Sequence, residues 1–225
     1  MSVSLVADPF GDHDLGQLGR GGWTVKPFKE HFVVELDRPP ADLLSRQHRR
    51  QVRLALRAVE VERVPPPEWS DDWVRLYSGL VRRHRIRGPA AFSEASLRQQ
   101  LSVPGMMMFR ASVDGVTAGI NLWSVHGSVA YYHLGASSSE GYRRSASHAL
   151  IWAAVEHFVG VVDVLNLGGG PGLEQRASGL THFKRRWATT SRTAYFLSRI
   201  LDGERYELLV RGQGSRSSPY FPAYR

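Results

Sequence analysis

Apolar positions in this chain recur at helical spacing in its first part and alternate with polar ones after about residue 105. Pro39 and Pro40 introduce a helix predicted from Ala41 or Asp42 to about Ala58. On it His48, Val52, Ala55 and Val59 share one side, while Arg46, Arg50, Arg53 and Arg57 fall in a narrow arc opposite. A second helix is predicted over residues 70–87, with Trp73, Leu76, Tyr77, Leu80 and Val81 as its apolar face. It ends in the basic run Arg82-Arg83-His84-Arg85-Ile86-Arg87 before Gly88-Pro89. A short helix follows from Ser93, its cap, to Leu101.

The period then becomes two. Met106–Val113 reads as a strand, Asp114-Gly115 as a hairpin turn, and Val116–Ser124 as the return strand. His126-Gly127 turns the chain into a third strand, Ser128–Gly135, and Ala136–Arg144 reads as a polar loop. Ser147–Gly160 is predicted helical, with Leu150, Ile151, Ala154, Val155 and Phe158 inward. Val162–Leu167 is a strand running into Gly168-Gly169-Gly170-Pro171-Gly172; a short helix carries Phe183–Trp187, and Thr193–Ile200 is a last strand. Upstream, His31–Leu36 looks like a short strand, whereas residues 1–30 are glycine-punctuated and read as loop. The predicted class is α/β: a mixed central sheet with helices on both faces. Pro65-Pro66-Pro67 is the stiffest break. It divides a reduced N-terminal segment with the basic helix, 1–64, from a core, 65–210; a loosely ordered tail, 211–225, follows.

Composition narrows the chemistry. There is no cysteine, which removes disulfides, thiolate nucleophiles and cysteine-bound metals. The histidines form no His-x-x-x-His helix pair, and no metal site is read. P-loop, dinucleotide and Gly-x-Ser-x-Gly patterns are also absent. Without a signal-peptide pattern or a membrane-length apolar run, the expectation is a soluble cytoplasmic protein with no membrane partner. The net charge of +8 favours an anionic partner, although arginine-rich coding alone would also raise it. Among 29 lysines and arginines only Lys26, Lys29 and Lys184 are lysine. A lone lysine in so arginine-biased a chain draws attention, because a compact ammonium and a guanidinium are not interchangeable at a reacting atom. The alternative is a chance surface lysine.

Three stretches resemble the GNAT acyltransferase fold, and more narrowly its Fem-type, aminoacyl-tRNA-dependent branch. They are the basic helix Arg46-Gln47-His48-Arg49-Arg50-Gln51-Val52-Arg53, the strand Tyr131-Tyr132-His133-Leu134-Gly135-Ala136-Ser137, and Leu165-Asn166-Leu167-Gly168-Gly169 followed by Gly179-Leu180 and Phe183-Lys184-Arg185. The resemblance spans about residues 45–200. Fem-type enzymes of the cell wall usually contain two GNAT units; here at most one complete unit fits, which suits a small amine or peptide acceptor such as a biosynthetic intermediate. Coenzyme A-dependent members place Arg/Gln-x-x-Gly-x-Gly/Ala before the long helix. Here Arg144-Ser145-Ala146-Ser147-His148-Ala149 matches it partly and lacks the central glycine.

The resemblance implies an aminoacyltransferase that takes an amino acid from aminoacyl-tRNA, a co-substrate rather than a bound cofactor, and forms an amide on a small molecule or peptide. Lys184 is implied as the cation at the oxyanion or at the donor's terminal phosphate and ribose, with Phe183 packed beside the donor. Tyr132 and His133 are candidates for handling the amine's proton. Arg143, Arg144, Arg185 and Arg186, with Arg46, Arg50, Arg53 and Arg57, are candidates for phosphate contacts. Gly168, Gly169 and Gly170 would let backbone approach the substrate; a plain strand-to-helix turn is the alternative. Two other functions stay open: an acetyl- or acyl-coenzyme A-dependent N-acyltransferase, and a non-catalytic RNA-binding module.

Overall fold

The computed structural model describes residues 1–170, 178–212 and 221–224. Its elements are β1 (Ser2–Ala7), α1 (Leu15–Arg20), β2 (Thr24–Glu35), α2 (Arg46–Ala58), β3 (Glu60–Val64), α3 (Ser70–His84), α4 (Glu94–Leu101), β4 (Met107–Val113), β5 (Val116–His126), β6 (Val129–Ser137), α5 (Ser139–Arg143), α6 (Ala146–Phe158), β7 (Val164–Gly168), α7 (Gly179–Trp187), β8 (Thr190–Ile200) and α8 (Gly203–Gly212). Side-chain caps fix several helix starts. Ser45, Ser93 and Ser138 accept from the backbone N–H groups of His48, Ser96 and Gly141, so α2 begins later than its proline signal suggests. The polar stretch expected as loop around residue 140 is instead the capped helix α5. Helix α3 ends sooner than predicted because Arg85 turns left-handed, at φ 50°.

The chain forms two compact units. The larger comprises Phe32–Gly168 and Gly179–Thr190. In it the end of β2 lies beside β7, followed by β6, β5, β4 and β3. All neighbours are antiparallel except β6 and β7, which run parallel, so the sheet is mixed as predicted. Alternation along the strands feeds two cores. Phe109, Trp123, Ala130 and Leu165 pack with Val52 and Ala55 of α2 and with Leu150, Ile151, Ala154 and Phe158 of α6. Met108, Ile120 and Leu122 face the other way, onto Trp73, Leu76 and Tyr77 of α3 and Leu97 and Leu101 of α4. Pro65 to Pro67, expected as a boundary, lies inside this unit between β3 and α3. The short strand β3 was not expected; among the described residues it pairs with β4 alone.

Two irregularities break the middle of this sheet. Leu122 pairs with Leu134 and Trp123 with Tyr132, which leaves His133 as an extra residue in a bulge of β6. Strands β6 and β7 pair only from Val129–Val164 to Tyr131–Asn166. Beyond that point β6 runs on to Ser137 while β7 ends at Gly168.

The smaller unit comprises Met1–His31, Gly169–Ser178 and Ser191–Arg225. Residues 1–30, read as loop, contain β1, α1 and most of β2 instead. Strand β1 pairs antiparallel with β8 from Ser2–Ile200 to Ala7–Tyr195. Phe28 and Phe221 both lie against Phe196, with ring centroids 5.8 and 6.3 Å away. Helix α8 continues to Gly212, past the expected start of the tail at residue 211, and residues 213–220 lie outside the described residues. Among the described residues no helix is long and apolar enough to cross a membrane.

Candidate active site

Helix α7 has one inward face. Phe183, Lys184 and Trp187 lie on it, with the exposed Leu180 one turn earlier on the same side, while His182 and Arg185 point out. That spacing puts an ammonium among apolar walls: Lys184 is only 8% exposed. Its Nζ lies 5.5 Å from the centroid of the Tyr132 ring, a cation–π distance. Tyr132, Ile151, Leu167, Leu180, Phe183 and Lys184 line one pocket. Tyr132 is the first β6 residue past the last β6–β7 pair, so the pocket adjoins the place where those strands part.

Gly168 ends β7 with φ +70°, a conformation that suits glycine, and a Cβ there would lie 3.6 Å from the Lys184 Nζ. Its N–H donates to the Asn166 side-chain oxygen at 2.8 Å, which closes the turn. In the smaller unit Lys29 donates to the Gly170 carbonyl at 3.1 Å, and a Cβ on Gly169 would sit 3.1 Å from the Glu30 carbonyl oxygen. Pro171 and Gly172 lie outside the described residues.

Tyr132 packs edge-on against Trp123, with centroids 5.3 Å apart. Its hydroxyl lies over Gly135, where a Cβ would overlap the phenol oxygen. Burial pushes this hydroxyl well above the usual phenol range, so Tyr132 offers a neutral proton donor rather than a phenolate. His133 goes elsewhere: it is exposed, and its Nε2 lies 2.9 Å from Gln100 Oε1 on α4. It does not line the pocket.

The arginine candidates separate into groups. Arg46, Arg50, Arg53 and Arg57 are all exposed along α2, opposite buried His48, Val52 and Ala55. Arg143 and Arg144 are exposed but both bond Glu140, Arg144 through its Nε at 2.8 Å, so their charge is partly neutralised. Arg185 is exposed with its guanidinium 5.7 Å from the Phe32 ring, and Arg186 is half-buried. Ser147 Oγ lies 3.3 Å from Ser137 Oγ, which turns that hydroxyl toward β6.

One constellation escaped the sequence reading. His48 and His148 are both buried, and His48 Nε2 lies 3.3 Å from His148 Nδ1. His48 Nδ1 is 3.1 Å from the Arg186 carbonyl, and the His148 ring meets Phe183 edge-on at 5.0 Å. The available signal was that each histidine falls on the apolar side of its helix. Among the described residues no cluster of acidic and histidine side chains has metal-binding geometry.

Known structures share this architecture. FemX is 18% identical, with a TM-score of 0.71 over 86% of this chain and 70% of its own. L-PGS from Bacillus licheniformis is 16% identical, with a TM-score of 0.62 over 90% of this chain and 70% of that one. The C-terminal domain of a protein provisionally assigned as a lysylphosphatidylglycerol synthetase, from Agrobacterium fabrum, is 16% identical with a TM-score of 0.64, covering 88% and 69%. No curated protein matches the chain. The family described as "Acetyltransferase (GNAT) domain" matches residues 44–185, the span that carries the splayed strands, α6 and Lys184, and the protein belongs to that family of acyltransferases, with a fold it shares with FemX.

Proposed function

We propose that this protein moves an amino acid from aminoacyl-tRNA to the amine of a small molecule or peptide. The observation that carries the reading is the buried Lys184 ammonium, held at the Tyr132 ring beside the parting strands. The acceptor nitrogen attacks the ester carbonyl, and the tetrahedral intermediate places negative charge on its oxygen. An ammonium already desolvated stabilises that oxygen without reorganisation. The new C–N bond remains when the ester C–O bond breaks. The Tyr132 hydroxyl passes its proton to the departing ribose oxygen and takes up the proton that the amine loses, so it ends neutral as it began. The bare arginines of α2 supply phosphate contacts for the tRNA. The likeness to FemX and to L-PGS supports an aminoacyl group as cargo.

An acyl-coenzyme A donor is the second reading, and the partial Arg144–Ala149 motif favours it. The two readings separate in one assay. The purified protein is offered charged tRNA, uncharged tRNA and acetyl-coenzyme A over a range of salt, with a panel of amines. Salt-sensitive binding of tRNA with amide formation from the charged form supports the first reading. Acyl transfer from acetyl-coenzyme A with no response to tRNA overturns it.

A further inference from the structure

The buried histidine pair has a determined protonation pattern. A carbonyl oxygen only accepts, so His48 Nδ1, 3.1 Å from the Arg186 carbonyl, carries the hydrogen. A neutral His48 then has a bare Nε2. His148 Nδ1, 3.3 Å away, must be the donor to it. The result is a directed chain from α6 through α2 to α7. Its end point, the Arg186 carbonyl, belongs to the last turn of α7, where carbonyls lack partners within the helix. Trp187 packs on His48 with centroids 4.4 Å apart, and Phe183 packs on His148. The pair therefore grips α7 on both sides of Lys184.

We propose that His48 and His148 are positioning residues that fix α7, and through it the Lys184 ammonium, at the face of Tyr132. Neither histidine lines the pocket, so neither is assigned contact with substrate. The catalytic consequence rests on the role given to Lys184 above; the structural claim does not.

The lysine content makes the test direct. Protein labelled with [ε-13C]lysine gives signals only from Lys26, Lys29 and Lys184, and Lys184→Arg identifies the third. In the native protein the Lys184 signal is displaced from the free-lysine position by the Tyr132 ring. In His48→Leu it moves to the free-lysine position, while those of Lys26 and Lys29 in the smaller unit stay in place. His48→Asn, whose amide nitrogen stands where Nδ1 stood, restores it. A folded His48→Leu protein with an unmoved Lys184 signal overturns the proposal. If His48→Leu does not fold, histidine 15N spectra of the native protein decide: both rings must be neutral with hydrogen on Nδ1, and an Nε2–H form of His48 overturns it. In the transfer assay His48→Leu lowers kcat on the order of 10²-fold with little change in donor KM, as expected for a misplaced catalytic group. If Lys184→Ala retains full activity while the spectra behave as described, the assignment of Lys184 fails and the positioning pair stands.

Discussion

Lys184 carries its ammonium on a side chain that is only 8% exposed, beside the Tyr132 ring, where water reaches it little. Its removal is expected to leave the protein folded while abolishing most turnover. Lys184→Ala should lose about 2.7–4 kcal/mol of transition-state stabilisation, on the order of 10²–10³ in kcat. Lys184→Arg should not rescue, because a planar guanidinium does not fit where one compact charge meets an aromatic face. Native turnover in Lys184→Ala would remove the lysine from the mechanism, and native turnover in Lys184→Arg would show that any cation suffices there. A second residue-level test concerns Gly135. A methyl there would overlap the Tyr132 hydroxyl and approach Asn121 Cβ to 3.5 Å. Gly135→Ala should therefore destabilise the protein by about 1–3 kcal/mol, the range for overpacking. Adding Tyr132→Phe should recover part of that loss in urea unfolding, since the overlapped oxygen is then gone. Strictly additive losses would show that the phenol does not sit over the glycine.

At the scale of elements, α2 depends on Ser45 for its start and on His48 for its attachment to α7. Ser45→Ala should cost about 1 kcal/mol, read from the urea midpoint, because one of the first N–H groups of the helix loses its acceptor. The histidine pair predicts a pH dependence. Burial, then the Arg186 charge, lowers the His48 pKa; burial, then His48 and Arg186, lowers that of His148 to about 4. Unfolded histidine titrates near ~6.5, so between there and about 4 the unfolded chain binds protons the folded chain refuses. Stability should thus fall as the pH drops through this window and stay level above it. His148→Phe should flatten the slope between pH 7 and pH 5, and an unchanged slope would show that the pair is not the titrating unit. The amphipathic helices were legible because one side of each is apolar, as with Trp73, Leu76 and Tyr77. Residues 1–30 were not, because glycines and aspartates interrupt strands whose partners, such as β8, lie far along the chain. Strand β3 was hidden for a related reason: as an edge strand it buries little, and Glu60-Val61-Glu62-Arg63-Val64 lacks a clear apolar face. Lys184 stood out by residue type, whereas the His48–His148 contact joins positions a hundred residues apart and has no local signature.

The molecule as a whole carries eight more basic than acidic charges, and the structure shows that they are not equally available. Arg110 is buried and bonds Thr117, Glu62 and the Gly115 carbonyl, so it serves the fold. Arg143 and Arg144 share Glu140, and Arg98 is held by Glu94 and Asp71. Arg46, Arg50, Arg53 and Arg57 instead form an exposed row along one helix. If that row grips tRNA phosphates, each contact releases bound counterions, and the logarithm of affinity falls with the logarithm of salt by about 0.7–0.9 per contact. Replacing all four with glutamine removes the charges while keeping residues of similar helix propensity, so α2 should remain folded. The salt slope of tRNA binding should then shrink by about 3, and the affinity at low salt should fall with it. Replacing Arg143 and Arg144 should change the slope less, because Glu140 already neutralises part of their charge. Equal slopes for the native and quadruple-glutamine proteins would locate the RNA contact on another surface and leave the cationic row of α2 as a solvated face.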